Sequence, residues 1–187
     1  MFNYIEKIKQ NIGSSLLKRK YKEQRVKRFI PIASAKSILI LYDAETPEND
    51  LAIKKIKELL KSINPLDVHV VGYKHHSHHQ EEYMADNLNN FISRKDFDFF
   101  YQPKNETVKN LLSSRFDLLF LLSAKRIFPL VILAHYIPAA FKAGRNNIVD
   151  EDLDFMIDQP HEQSLETLGQ NLITHLNMFK VKSASVK

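Results

Sequence analysis

This chain predicts a three-layer α/β sandwich, its mainly parallel sheet covered by helices on both faces, on three observations. Short apolar runs alternate with amphipathic stretches from residue 35 to residue 180. Two runs, SILILY at 37–42 and FDLLFLL at 116–122, are almost continuously apolar, as strands buried on both sides of a parallel sheet are. Capping and breaking residues between the runs leave room for helical crossovers, whose right-handedness distributes helices over both faces. A Rossmann-like or flavodoxin-like body with a five-stranded sheet is therefore expected, preceded by a basic N-terminal helical arm.

The arm comes first. Ile5, Ile8, Ile12 and Leu16 recur three and four apart, setting an apolar stripe on one helical face that needs a surface to cover, either the body or a partner, while Gly13-Ser14-Ser15 weakens the helix midway. The first strand ends at Asp43. Thr46, Pro47 and Glu48 then supply an N-cap, a first-turn proline and an early acid for a helix that buries Ile53, Ile56, Leu60 and Ile63, closed by Pro65. VHVVGY at 68–73 is the second strand, and KHHSHHQ follows it as a loop. A less apolar third strand is read at 90–93, and Asn105 caps a short helix carrying Val108, Leu111 and Leu112. After the fourth strand at 116–122, the nearly all-apolar stretch 129–142 predicts a deeply buried helix, kinked near Pro138, with Gly144 just past its end. DFMID at 154–158 is the fifth strand. A last helix starts near Ser164 and packs Leu165, Leu168, Leu172, Leu176 and Phe179. Strands 1 and 4 are the most apolar and belong at the centre, which favours the order 3-2-1-4-5; the order 2-1-3-4-5 stays open. The chain divides into an arm at 1–34, one α/β domain at 35–180 and a frayed tail at 181–187.

With 187 residues, 44% of them hydrophobic, the chain can bury a substantial single core. It has no cysteine, which excludes disulfides, a thiolate nucleophile and cysteine-based zinc or iron–sulfur sites. The first residues lack the apolar core of a signal peptide. The longest apolar stretch, 127–141, contains His135 and two prolines and falls short of the roughly 20 residues that span a bilayer. No secretory cleavage, no transmembrane segment and a cytoplasmic location, peripheral to the inner membrane where the arm engages it, are expected.

Charge is unevenly placed. Residues 1–29 carry nine basic side chains against two acids, a net of +7, which leaves −2 for the rest of a chain whose formal net charge is +5. The basic residues Lys18, Arg19, Lys20, Lys22, Arg25, Lys27 and Arg28 alternate with Tyr21, Val26 and Phe29, a pattern suited to an anionic membrane surface, a nucleic acid or ribosome, or a protein partner.

Ligands of open parallel sheets bind outside the carboxyl ends of the strands, near the reversal of strand order. That rim gathers Asp43, Glu45, Arg94, Lys95, Ser123, Lys125 and Arg126 as candidate ligand-binding residues, with four cations able to hold a phosphate or carboxylate. Asp158 and His161 follow the last strand on the same side. His75, His76, His78, His79 and His161 are candidate metal ligands, because neutral imidazole binds zinc, nickel or copper. Neighbouring residues of an extended loop point different ways, so the cluster needs His161, Glu81, Asp43 or the nearby cations to converge on it; otherwise it is a solvated loop. His69 and His135 read as core histidines. Only four glycines are present, none in the loop after the first strand, so neither a P-loop nor a dinucleotide fingerprint exists, and no cofactor is expected. No catalytic residue is assigned. The leading functional expectation is a non-enzymatic module acting through its arm, the alternative a small-molecule or phosphate-ligand protein or enzyme with its site on the rim.

Asp43-Ala44-Glu45-Thr46 after an apolar strand resembles the Asp-x-Asp-x-Thr nucleophile loop of haloacid-dehalogenase-like phosphatases, but with glutamate for the second aspartate and Thr46 in a cap position. A broader resemblance covers nearly the whole chain. SILILYDAE, FISRKDFDFFYQPKNETVKNLLSSRFDLLFLLS, FPLVILAHYIPAAFKAGR, DFMID and SLETLGQNLITHLNMF resemble an uncharacterised bacterial domain-of-unknown-function family of small α/β proteins with a basic N-terminal helix. That resemblance implies a cytoplasmic bacterial protein and transfers no activity.

Overall fold

A computed structural model describes residues 2–21, 25–75, 89–146, 148, 153–160 and 163–179. Helix α1 (Phe2–Lys20) precedes strand β1 (Ser37–Asp43), helix α2 (Pro47–Ile63), β2 (Asp67–Lys74), β3 (Asn89–Ser93), α3 (Glu106–Ser113), β4 (Phe116–Leu122), α4 (Phe128–Tyr136), β5 (Ala139–Arg145), β6 (Phe155–Ile157) and α5 (Leu165–Met178). The strands form one parallel sheet in the order β3-β2-β1-β4-β5-β6. The predicted α/β class and the central placing of strands 1 and 4 are observed.

Alternation along the central strands divides the core in two. Leu39 and Leu41 of β1, with Leu119 and Leu121 of β4, face a cluster built with Leu17 of α1, Val108 and Leu112 of α3 and the apolar body of α4. Ile38, Ile40 and Tyr42, with Leu118, Phe120 and Leu122, face α2 and α5 through Ile56, Leu60, Leu168 and Leu172. Each buried leucine or isoleucine contributes about 1.5–3 kcal/mol of transfer free energy. The caps are the expected ones: the side chain of Thr46 accepts from Asn49 N, that of Asn105 from Val108 N and that of Ser164 from Thr167 N.

The sheet has six strands rather than five, because the stretch read as one long helix is a helix followed by a strand. Residues before proline are pushed out of the helical region; Ile137 sits at ψ 124°, and the chain leaves α4 there instead of kinking through Pro138. Residues 139–145 then pair with β4, and Gly144 lies opposite Leu121 inside β5 rather than past a helix end. The strand was disguised by Lys142, which is buried; its ammonium donates to the carbonyls of Ala134 and His135 at 2.6 and 2.9 Å, satisfying the last turn of α4. His135 itself is exposed, not a core histidine, whereas His69 is half-buried and lies edge-on to Phe116.

Residues 25–31 join α1 to the sheet as a strap along β5. Arg28 N donates to Ala140 O at 3.0 Å, and the Arg25 guanidinium grips both oxygens of Asp154, Nη2 to Oδ1 at 2.8 Å. Asp154 Oδ2 also accepts from Lys142 N at 2.9 Å. Burial pushes the Asp154 carboxyl up, but Arg25, the Lys142 N–H and Lys27 outweigh it and hold its pKa below the ordinary value.

Candidate functional site

Strand order reverses between β1 and β4, so the carboxyl ends of these strands frame the crevice where a ligand of this topology binds. Asp43 ends β1 there. Its side chain is buried, with the residue 6% exposed; Oδ2 pairs across the crevice with Lys125 Nζ at 3.3 Å, and Oδ1 has no hydrogen-bond partner. Asn49 Nδ2 donates to Asp43 O at 2.9 Å, and Tyr42 Oη donates to Asp50 at 2.7 Å, so α2 fixes the end of the strand. Ala44 N donates to Tyr73 O, and His75 N donates to Glu45 Oε2, both at 2.9 Å, which ties the ends of β1 and β2 together. The His75 ring stands edge-on to Tyr73, centroids 5.0 Å apart. One ligand atom each from Asp43, Glu45 and His75 lies within 4.8 Å of the other two.

The remaining rim candidates do not join them. The Arg94 guanidinium donates to the carbonyls of Phe97, Asp98 and Phe99 at 3.1, 2.6 and 3.3 Å and lies over the Tyr101 ring, shaping the loop after β3. Ser123 is fully buried and donates to Lys125 O at 2.6 Å. Arg126 donates to Ile148 O at 3.2 Å, and Lys95 is exposed on the turn at Arg94–Asp96. Of the four cations expected around a phosphate, two therefore hold backbone carbonyls, and Lys125 is engaged by Asp43. Asp158 is exposed. Glu81, His76, His78, His79, His161 and Lys22 lie outside the described residues. Thr46 serves as the cap of α2, as its position predicts.

The second candidate surface is on α1. This helix docks through the side that carries few large apolar residues. Leu17 is completely buried, and Gly13 meets the loop after β3 so closely that an added Cβ would sit 2.1 Å from Phe100 O. Gln102 Nε2 donates to Gly13 O at 3.1 Å, and Tyr136 Oη to Ser14 O at 2.6 Å. Tyr101 Oη donates to Glu6, and Lys9 lies 3.9 Å over the Phe99 ring. The Tyr101 hydrogen bond lowers the Glu6 pKa, and burial together with Glu6 raises the phenol of Tyr101 to about 12.

Docking on that side leaves the apolar stripe facing outward. Ile5, Ile8, Ile12 and Leu16 are 52%, 42%, 40% and 40% exposed. The orientation has a physical cause: four polar or backbone contacts and the absent Cβ of Gly13 select the docked face, and periodicity alone does not report which surface a stripe covers. On a helix of 3.6 residues per turn, Lys20 flanks the stripe and Arg19 lies at its C-terminal end, while Lys7 and Lys18 lie well round the helix from it. Lys18, Arg19 and Lys20 are exposed in the last turn. Arg25 differs from the expectation: it is half-buried and spent on Asp154 rather than offered to a surface. Lys27 pairs with the same carboxylate at 3.3 Å and keeps most of its side chain in solvent; Arg28 is exposed.

Among the described residues are two shallow clefts. One of about 210 Å³ lies between α1 and α4, lined by Ser14, Arg126, Phe128 and Tyr136 among others; another of about 190 Å³ lies at Arg25, Arg115 and Pro138. Both are smaller than the roughly 300–1,000 Å³ of ordinary small-molecule sites. No helix among the described residues is long and apolar enough to cross a membrane.

A model of a family of unknown function (DUF6913) matches residues 7–179, and the chain belongs to that family. No curated protein and no solved structure matches it.

Proposed function

We propose that the protein is an interaction module that docks on an anionic lipid surface through the outer face of α1. The observation behind this reading is the exposed stripe of Ile5, Ile8, Ile12 and Leu16 on a docked helix, bordered by lysine and arginine. An interfacial helix lays such a stripe into the acyl boundary while its basic flanks meet anionic headgroups. The helix is presented already folded, so ordering it on the surface costs little entropy. The +7 of residues 1–29 disfavours pairing of this face with a second copy of itself and favours a negative partner.

The test is vesicle flotation of the full chain and of an Ile8→Ser, Ile12→Ser variant, with neutral and with anionic phosphatidylglycerol-containing vesicles. Expected is co-flotation of the wild type with anionic vesicles, lost in the variant and weakened by salt. Equal flotation of both proteins would overturn the proposal. So would binding of ribosomes or RNA, unaffected by the two substitutions, in place of vesicles.

A further inference from the structure

We propose that the carboxyl ends of β1 and β2 carry a divalent-metal site, with a carboxylate oxygen from each of Asp43 and Glu45 and a ring nitrogen of His75 as its ligands. Two independent observations meet here. The three donor atoms already lie within 4.8 Å of one another. Within the same group, Asp43 Oδ1 is buried and has no hydrogen-bond partner. A buried acceptor left without a partner carries an uncompensated desolvation cost, and a cation beside it removes that cost.

The chemistry of the donors narrows the ion. Two carboxylates and one imidazole form a borderline set that suits Zn²⁺ or Mn²⁺. Metal–ligand bonds near 2.0–2.2 Å place donors about 3–3.5 Å apart, so binding draws the group inward by about 1–2 Å. The movement falls on Glu45 and His75, whose side chains are exposed, while Asp43 is fixed in the sheet. The backbone supports the arrangement: His75 N holds Glu45 Oε2, and Tyr73 stands edge-on to the imidazole. One coordination position on a four-coordinate Zn²⁺, or three on a six-coordinate Mn²⁺, stay open to solvent or substrate, on the side of the sheet where ligands of this topology bind.

Lys125 is the competing cation. Its ammonium lies 3.3 Å from Asp43 Oδ2, and its side chain is 57% exposed, so it can swing away when a metal arrives. This gives the site a signature that a histidine-rich loop lacks: removing Lys125 tightens metal binding.

The experiment is calorimetric titration of the untagged full chain with ZnCl₂ and, separately, MnCl₂. Variants are His75→Gln, Glu45→Gln, Asp43→Asn, Lys125→Met and the triple His76→Gln, His78→Gln, His79→Gln. Expected is one site per chain that survives the triple substitution. His75→Gln and Glu45→Gln weaken it by at least the roughly 10- to 100-fold that loss of a supporting partner costs a metal site. Lys125→Met strengthens it several-fold. Both glutamine variants alter exposed side chains, so they keep the test valid even where Asp43→Asn fails to fold. No binding of either metal, affinity unchanged in His75→Gln and Glu45→Gln, or loss of binding in the triple variant would each overturn the proposal.

Discussion

Lys142 shows how far one residue can depart from its ordinary chemistry. Burial, followed by the Arg25 charge, pulls its pKa from the ordinary lysine value down to about 7. A lysine with a lowered folded pKa binds fewer protons in the native than in the unfolded state between the two values. Stability therefore rises with pH from about 7 toward 10. Urea denaturation across pH 7 to 9.5 should show that rise in the wild type and a flatter profile in Lys142→Met. Equal slopes would mean that the ammonium is better solvated than its surroundings indicate. Asp154 acts with the same sign in the acid range: its depressed pKa gives stability that is present above the ordinary carboxylate value of 3.8 and lost as pH falls below it. Removing this partner with Asp154→Asn should cost about 1.5–3 kcal/mol by the same denaturation assay, because the half-buried Arg25 then loses a charge-assisted pair.

At the scale of elements, α1 is held by geometry that a sequence pattern does not contain. A Gly13→Val substitution places atoms inside the carbonyl of Phe100 and should undock the helix, destabilising the chain by about 1–3 kcal/mol and opening the arm to limited proteolysis. Leu17→Ala, which removes the buried anchor of the same helix, should cost about 2–5 kcal/mol in the same denaturation assay. The strands β1, β2 and β4, the caps at Thr46, Asn105 and Ser164 and the buried faces of α2 and α5 were legible because local rules determine them. The apolar stripe of α1 was legible as a stripe but not in its direction, since the surface that docks the other face of the helix is made by residues 97–103 and by α4, about 90 positions or more away. Strand β5 was hidden for a related reason. Its buried lysine is tolerated only because the end of α4 folds back to accept its hydrogen bonds, a tertiary compensation invisible in residues 139–145 themselves. On the rim, Asp43, Glu45 and His75 could each be named from strand ends. Their convergence, and the diversion of Arg94 and Arg126 to backbone carbonyls, depended on loop paths that periodicity does not encode.

For the whole molecule, charge and apolar exposure coincide on one helix, while the mildly acidic remainder carries the sheet and its rim. The membrane proposal gathers these features into a single expectation: the face with Ile12 enters the lipid boundary and the α2 side stays in water. The chain contains no tryptophan, so a single introduced one reports its own surroundings. Ile12→Trp and, as a control on α2, the exposed Leu51→Trp can be compared with vesicles of anionic and of neutral lipid carrying bromine in the acyl chains. The proposal predicts a blue shift and bromine quenching for the tryptophan at position 12 with anionic vesicles, and neither for the one at position 51. Unchanged emission at position 12, or the same response at both positions, would contradict it.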